Sequence, residues 1–414
     1  MPTFRHLATH FRQYGMKHRT LYILSSMILF WAVFDGIMTY VTPLVITEAG
    51  LSKTLMGIIV GTSSIAGALF DFLICRFFKN TYYRRIFFLM FAVCFIYPLI
   101  LFTAKSFLLY MIAMALWGFY YDLKNFGNFD FVGKYTSKTE HSSSFGVIQV
   151  FSSIGYLLAP IICGAVIGEV VDWKPFIMGW VFLLISIMFF LILFFVSKRE
   201  REEVPHTHDC SCKKTNFFEE FSLWKKIGKS IFPILLLTLA LNLVDAFFWT
   251  IGPLLAESIA TIKQLAGLFM TAYSLPALLV GWIVGYFTIK YGKKMTAYVS
   301  FLIGSLLLSF LALFNNPILM ILDIFLASIG ISMAWPAING VYADFISEKE
   351  KYEKEIEGLE DFYTNIGYII GPIAAGFMAD QLGNSLTFTC LGVFGVIVSL
   401  VLIKMTPRKL IITA

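Results

Sequence analysis

The sequence predicts an all-α membrane protein of twelve transmembrane helices in two pseudo-symmetric six-helix bundles, and three observations carry that prediction. The chain is 58% hydrophobic and only 14% charged, against about 25% charged in a soluble domain. Apolar runs of about 18 residues or more recur along it, and such runs must be helical because lipid offers the backbone no hydrogen-bond partners. A pattern of small residues also occurs twice, half a chain apart. Gly146, Gly155, Ala159, Pro160 and Gly164 in the first copy answer Gly358, Gly367, Gly371, Pro372 and Gly376 in the second, at an offset of 212 residues. A duplication of that kind marks two similar halves.

The runs lie near 21–45, 54–78, 85–103, 107–130, 144–168 and 175–197, then 230–256, 264–289, 296–314, 317–343, 361–380 and 386–406. They define an N-terminal half at 21–197 and a C-terminal half at 230–406. Around these stand an N-terminal arm (1–20), a linker (198–229) and a short tail (407–414). With the N-terminus inside, 27 of the 32 lysines and arginines fall on the inner side, four fall outside, and Lys124 lies within a span. Loops rich in these residues stay cytoplasmic, so both termini are expected in the cytoplasm of a multi-pass protein of the cytoplasmic membrane. The net charge of +6 has the same origin and is no footprint for nucleic acid. The first run is too long for a signal-peptide core and has no small-residue cleavage site, so it is expected to be retained. Six cysteines imply no disulfide framework. No phosphate-binding loop for ATP occurs, and no cofactor is expected.

The first span carries Asp35, with Trp31 one turn before it and Pro43 eight residues after. The seventh repeats the arrangement with Asp245, Trp249 and Pro253. A carboxylate at that depth costs about 2.5 to 3.5 kcal/mol to insert, so each should face a polar cavity. Aromatic walls beside the acids would suit an amphipathic or aromatic solute. Merely bonding a neighbouring helix is the plainer alternative. The fourth span holds Trp117, Tyr121, Asp122, Lys124, Asn125 and Asn128. Asp122 and Lys124 are about 200° apart on a helix and cannot face one cavity together. Trp117, Tyr121, Asn125 and Asn128 share a face. In the tenth span Asp323 lies near the outer mouth, and Trp335 and Asn339 lie deeper.

In the repeated stretch, Gly155, Ala159 and Cys163, like Gly367, Gly371 and Ala375, form a small stripe that lets helices approach closely. Pro160 and Pro372 remove a backbone donor and should kink their helices. The mixed-charge run from Ser347 to Glu360 reads as a solvated helical extension. In the linker, His206, His208, Cys210 and Cys212 alternate and could bind zinc or copper, although their spacing matches no common zinc motif.

Twelve spans in two halves, with a glycine-and-basic loop after the second span of each, resemble the major facilitator superfamily. Gly285, Gly292, Lys293 and Lys294 match its loop pattern in the second half, with Ile289 where the pattern has Asp. Gly67 and Asp71 keep its spacing in the first. The resemblance implies a cavity lined by the first, fourth, seventh and tenth spans and a motion of alternating access. In that family the glycine–proline stretch of the fifth span is associated with antiporters, and both copies here nearly match it.

These readings point to a secondary transporter, a monomer, that moves a small neutral or cationic solute and exchanges protons at Asp35 and Asp245, with Asp122 next. Export by antiport is the first expectation. Proton-coupled uptake of a nutrient or sugar is the alternative within the same class, and a non-transporting sensor with a metal-responsive loop is the alternative outside it. No nucleophile–base pair within the spans points to an enzyme. Gly155→Val or Gly367→Val is expected to impair transport more than solute binding, as comparison of equilibrium probe binding with flux in proteoliposomes would read.

Overall fold

A computed structural model describes residues 19–77, 82–136, 141–199, 217–259, 263–280, 283–348 and 352–406. Six long helices precede the 200–216 connection: α1 Arg19–Glu48, α2 Lys53–Phe77, α3 Tyr83–Thr103, α4 Phe107–Tyr135, α5 His141–Val166 and α6 Trp173–Arg199. Six follow it: α7 Phe217–Ile259, α8 Lys263–Val280, α9 Lys293–Leu308, α10 Pro317–Glu348, α11 Glu353–Leu382 and α12 Asn384–Met405. A short helix, Val284–Tyr291, follows α8 at a bend of 62°. The described residues contain no strand. The arm, the His206 to Cys212 cluster and the tail lie outside them.

Nine of these helices are long and apolar enough to cross a membrane, and α8 with the Val284–Tyr291 helix makes a tenth if taken as one span. The two long helices left out of that set are α4 and α11. They carry the densest hydroxyl, amide and carboxyl groups of the bundle, including Tyr121, Asp122 and Asn125 on one and Asp361, Thr364, Asn365 and Tyr368 on the other.

Several helices outrun the apolar pattern. α7 begins at Phe217, well inside the segment expected as linker, and is 43 residues long. Near its start it packs on α11: the Trp224 ring lies against Gly358 and 6.3 Å from the Phe362 ring. α10 and α11 extend to Glu348 and from Glu353, so most of the Ser347 to Glu360 run is helix. α5 and α11 each pass through their proline as one helix. Tight corners fall at Gly50, Gly292 and Gly383, where φ is 85°, 82° and 80°, a region that favours glycine.

Each half packs around its first helix, α1 against α5 and α6, and α7 against α11. The halves meet along three pairs: α2 with α11, α5 with α8, and α1 with α7. The close approaches all lie toward the end bearing the α1–α2 and α11–α12 connections, called the closed end below. There Gly57 abuts the Pro372 carbonyl, Gly376 abuts the Lys53 carbonyl, and Gly267 abuts the Pro160 carbonyl. Gly155 and Gly367 do different work. They press on α1 and α7 of their own half, where a Cβ would come within 2.7 Å of Ala32 and 2.6 Å of Asn242. The repeated stretch therefore has two sides, glycines toward its own half and a proline carbonyl toward the other.

Polar bonds add to the closed end. The Asp380 carboxylate accepts the Lys53 N–H at 3.1 Å, the Thr54 N–H at 2.8 Å and the Thr54 hydroxyl at 2.6 Å. It thereby caps α2 from the opposite half, where the partial positive charge of a helix N-terminus favours an anion. Lys53 Nζ reaches Asn384 at 2.7 Å, and the Tyr40 hydroxyl donates to Glu257 at 2.8 Å. At the position equivalent to Asp380 in the first half stands Gly168. Asp380→Ala removes about 1 kcal/mol of capping. It is expected to shift the resting population several-fold toward the state open at this end, measured as faster thiol labelling of a cysteine placed at Leu55.

Candidate functional site

A polar side chain in the middle of an apolar bundle must find its partners within the protein. Asp35 and Asp245 do so in the same way. On α1, Asp35 Oδ1 accepts the Tyr120 hydroxyl of α4 at 2.6 Å, and its Oδ2 accepts the Tyr156 hydroxyl of α5 at 2.7 Å. On α7, Asp245 Oδ1 accepts the Tyr273 hydroxyl of α8 at 2.7 Å, and its Oδ2 accepts the Tyr368 hydroxyl of α11 at 2.5 Å. Tyr156 and Tyr368 are a duplicated pair, 212 residues apart, and each directly follows a glycine of the repeated stretch. The other two donors are exchanged between halves. Ser332 stands where Tyr120 would repeat, and Ser63 where Tyr273 would.

Both acids face a cavity of about 790 Å³ between the halves, within the usual range for small-molecule sites. Its lining runs from Thr42 and Pro43 to Phe129, Gln149 and Asp361, away from the closed end. Among the described residues, four carboxylates line it, Asp35, Asp122, Asp245 and Asp361, and no lysine, arginine or histidine does. The walls are aromatic: Trp117 stacks on Tyr121 with centroids 5.5 Å apart, and Tyr156 meets Trp249 across the halves at 6.1 Å. Trp335 and Asn125 also line it.

Several residues expected in the lining sit elsewhere. Trp31 is fully buried behind it, edge-on to Tyr120. Lys124 is buried too, its Nζ 4.1 Å from the Tyr121 ring centre and 5.2 Å from that of Trp31. The ammonium is thus held by ring faces, on the far side of Tyr121 from the cavity, while Asp122 enters the cavity beside Gly67, whose missing side chain leaves room for it. Asn128 is buried off the lining with its Oδ1 unbonded among the described residues. Asp323 is likewise buried outside it, with Oδ2 unbonded among the described residues, and Asn339 is exposed. Only one face of each helix can meet the cavity, and these groups lie off the faces that α1, α4 and α10 present to it.

Conversely, the cavity is not confined to the first, fourth, seventh and tenth spans. Ser63 and Ser64 of α2, Gln149, Ser153 and Tyr156 of α5, Tyr273 and Ser274 of α8, and Asp361, Thr364, Asn365 and Tyr368 of α11 also line it. The sequence signal for the two tyrosines was present, since Gly-Tyr recurs in both copies of the stretch.

The remaining motif residues are distributed as follows. Gly146 and Gly285 border open space, Gly164 is buried, and Gly371 presses on Ala246. Lys293 Nζ pairs with Asp344 at 2.5 Å and bonds the Gly340 carbonyl at 3.1 Å, tying the Gly292 corner to α10. Lys294 is half-buried beside it. The Asp71 side chain lies outside the described residues. Among those residues no group of three His, Cys, Asp or Glu is placed to hold a metal.

Chemically, the arrangement offers two carboxyl groups at equivalent positions of the two halves and a set of ring faces. Among the described residues its lining holds nothing positively charged to receive an anion. Trp117→Ala is expected to weaken binding of an aromatic monocation about 3- to 30-fold while leaving a non-aromatic cation of similar size nearly unaffected, as equilibrium binding to detergent-purified protein would record.

Residues 23–248 and 234–411 match the family model described as Major Facilitator Superfamily. Among curated relatives, the chain is 27% identical over 188 residues to the quinolone resistance protein NorA of Staphylococcus aureus, covering 45% of this chain and 46% of that one. The chain thus spans about half the length of those relatives. It is 22% identical over 381 residues to multidrug resistance protein 1 of Bacillus subtilis (strain 168), covering 88% and 90% of the two chains. Among solved structures, the nucleoside transporter NupG superposes with a TM-score of 0.74 at 16% identity, over 94% of this chain and all of that one. A bacterial homolog of the human lysosomal transporter Spinster, inward-facing and unoccupied, gives 0.71 at 15% identity over 93% and 96%.

Proposed function

Because the chain belongs to the Major Facilitator Superfamily, and is therefore a multi-pass membrane transporter and not an enzyme, we propose that it exports an amphipathic organic cation in exchange for protons. The observation that carries this reading is the pair of aspartates, Asp35 and Asp245, each bonded to two tyrosine hydroxyls at the wall of a cavity with no basic lining residue among the described residues. A proton and a cationic solute are alternative neutralisers of one carboxylate, and holding both would place two like charges in a weakly screening interior. Competition between them is the coupling. The names of the NorA and Bacillus relatives, which speak of drug resistance, favour export over uptake.

The lysine and arginine bias places the termini in the cytoplasm. The closed end is then the outer face, and the cavity opens inward. In this state the cavity takes a cation from the cytoplasm or the inner leaflet. Once the outer seam opens, protons at the acids displace it. Each pH unit across the membrane contributes about 1.4 kcal/mol per proton, and each 100 mV about 2.3 kcal/mol per charge. Trp117, Tyr121 and Trp249 hold the aromatic part of the solute, and Asp122 and Asp361 make the cavity mouth attractive to a cation.

In inverted membrane vesicles energised with an inside-acid pH gradient, the protein is expected to accumulate tetraphenylphosphonium, and an uncoupler should abolish this. Asp35→Asn and Asp245→Asn should each lower gradient-driven accumulation by about tenfold or more. Undiminished accumulation in both variants would remove the assignment. Gradient-driven movement in the opposite direction would identify uptake instead.

A further inference from the structure

The duplicated tyrosines connect two features that the proposed function leaves separate. In the first half, Tyr156 holds Asp35 at 2.7 Å, and one helical turn along α5 the Pro160 carbonyl abuts Gly267 of α8, in the other half. In the second half, Tyr368 holds Asp245, and one turn along α11 the Pro372 carbonyl abuts Gly57 of α2, again in the opposite half. Gly57 and Gly267 are 210 residues apart, the same offset as Asp35 and Asp245. Acid, tyrosine, proline carbonyl and facing glycine therefore form a circuit that occurs twice and crosses between the halves each time. The other hydroxyl donors, Tyr120 and Tyr273, lack this property, because their equivalents are serines.

We infer that Tyr156 and Tyr368 are positioning residues that report the occupancy of Asp35 and Asp245 to the seam between the halves. Four residues of helix set each hydroxyl-bearing residue about 6 Å from its proline along the axis. Over that distance a helix moves as a rod. A carboxylate free to accept both tyrosines holds α5 or α11 in the place where its carbonyl fits the opposite glycine. A proton or a bound cation takes up acceptor capacity of the carboxylate, loosens the tyrosine, and lets the carbonyl leave the seam. Because the glycines there admit contact without a side chain between the backbones, a small shift suffices to lose the fit.

The surroundings of the two acids bear on any response to pH. Asp35 is faced by Cys94 and Tyr97 from α3, by Tyr120, Tyr121 and Lys124 from α4, and by Tyr156 from α5. Asp245 is faced by Tyr273 from α8, Tyr368 from α11 and Tyr121 from α4. Among the described residues, a cation, Lys124, lies near the Asp35 site and none near the Asp245 site.

The inference rests on the reading of proton-coupled export, and its test separates the two. Spin labels at Lys105→Cys and Asn315→Cys, which lie on exposed connections of opposite halves at the closed end, report opening after the native cysteines are replaced. Tyr156→Phe, Tyr368→Phe and the double variant are compared with Tyr342→Phe, whose hydroxyl bonds Thr238 elsewhere. The double variant, which keeps both rings in the wall and removes only the hydroxyls, is expected to lose about tenfold or more in gradient-driven turnover, several-fold more than it loses in tetraphenylphosphonium binding, and to lose the change in label distance on acidification. Retention of both turnover and label response overturns the inference. So does a loss of binding as large as the loss of turnover, which would make the tyrosines simple cavity wall. If the unaltered protein shows no proton-driven flux, the export reading fails, while the label response to tetraphenylphosphonium alone still decides whether the tyrosines transmit occupancy.

Discussion

A carboxyl group set in an apolar helical bundle must be met by hydrogen-bond donors, and the rest of this protein is arranged around meeting that demand twice. Asp35 and Asp245 each take two tyrosine hydroxyls, and each set of donors comes from two other helices. Three helices of a half are thereby tied to one charge. Burying a charge costs more than any single hydrogen bond returns, so the donors must be complete, and a change in the charge is felt on every helix that supplies one.

Duplication explains the shape of this arrangement but not its details. Both halves keep the acid, the following proline, and the tyrosine of the repeated stretch. They differ in where the second donor comes from, α4 in one half and α8 in the other, with serines at the vacated positions. They differ again in Lys124, which stands between ring faces near Asp35 and has Pro336 as its equivalent. The two acids therefore sit in unequal fields, and the two steps of a transport cycle need not be mirror images. The closed end is unequal as well, since Asp380 caps α2 while Gly168 occupies the matching place beside α8.

Much of this was legible in the sequence where an apolar background made an exception conspicuous. A charge within a hydrophobic run is expensive, so Asp35 and Asp245 could be assigned to a cavity, while helical angles parted Asp122 from Lys124 without saying which of them enters it. The tyrosines were marked only by the recurrence of Gly-Tyr in the two copies, because a tyrosine in a membrane helix fits the apolar pattern as well as a polar one. The role of Pro160 and Pro372 was hidden for a similar reason. A missing backbone donor announces a kink, but the outward-facing carbonyl that meets a glycine of the other half leaves no mark in its own segment. The first turns of α7 were read as linker since their lysines and glutamates resemble a solvated connection. Only the contact of Trp224 with α11 reveals the continuous helix.

That continuity makes α7 a lever. From Asp245 to Phe217 the helix runs 28 residues, about 42 Å at 1.5 Å per residue, and the hydrocarbon core is only about 30 Å thick. A tilt of about 5° at the level of the acid, too small to disturb most of its packing, displaces the far tip by about 4 Å along this length. The end of α7 that projects beyond the membrane, alongside the start of α11, is consequently the part of the molecule where a change at a single buried carboxyl group would be largest in ångströms.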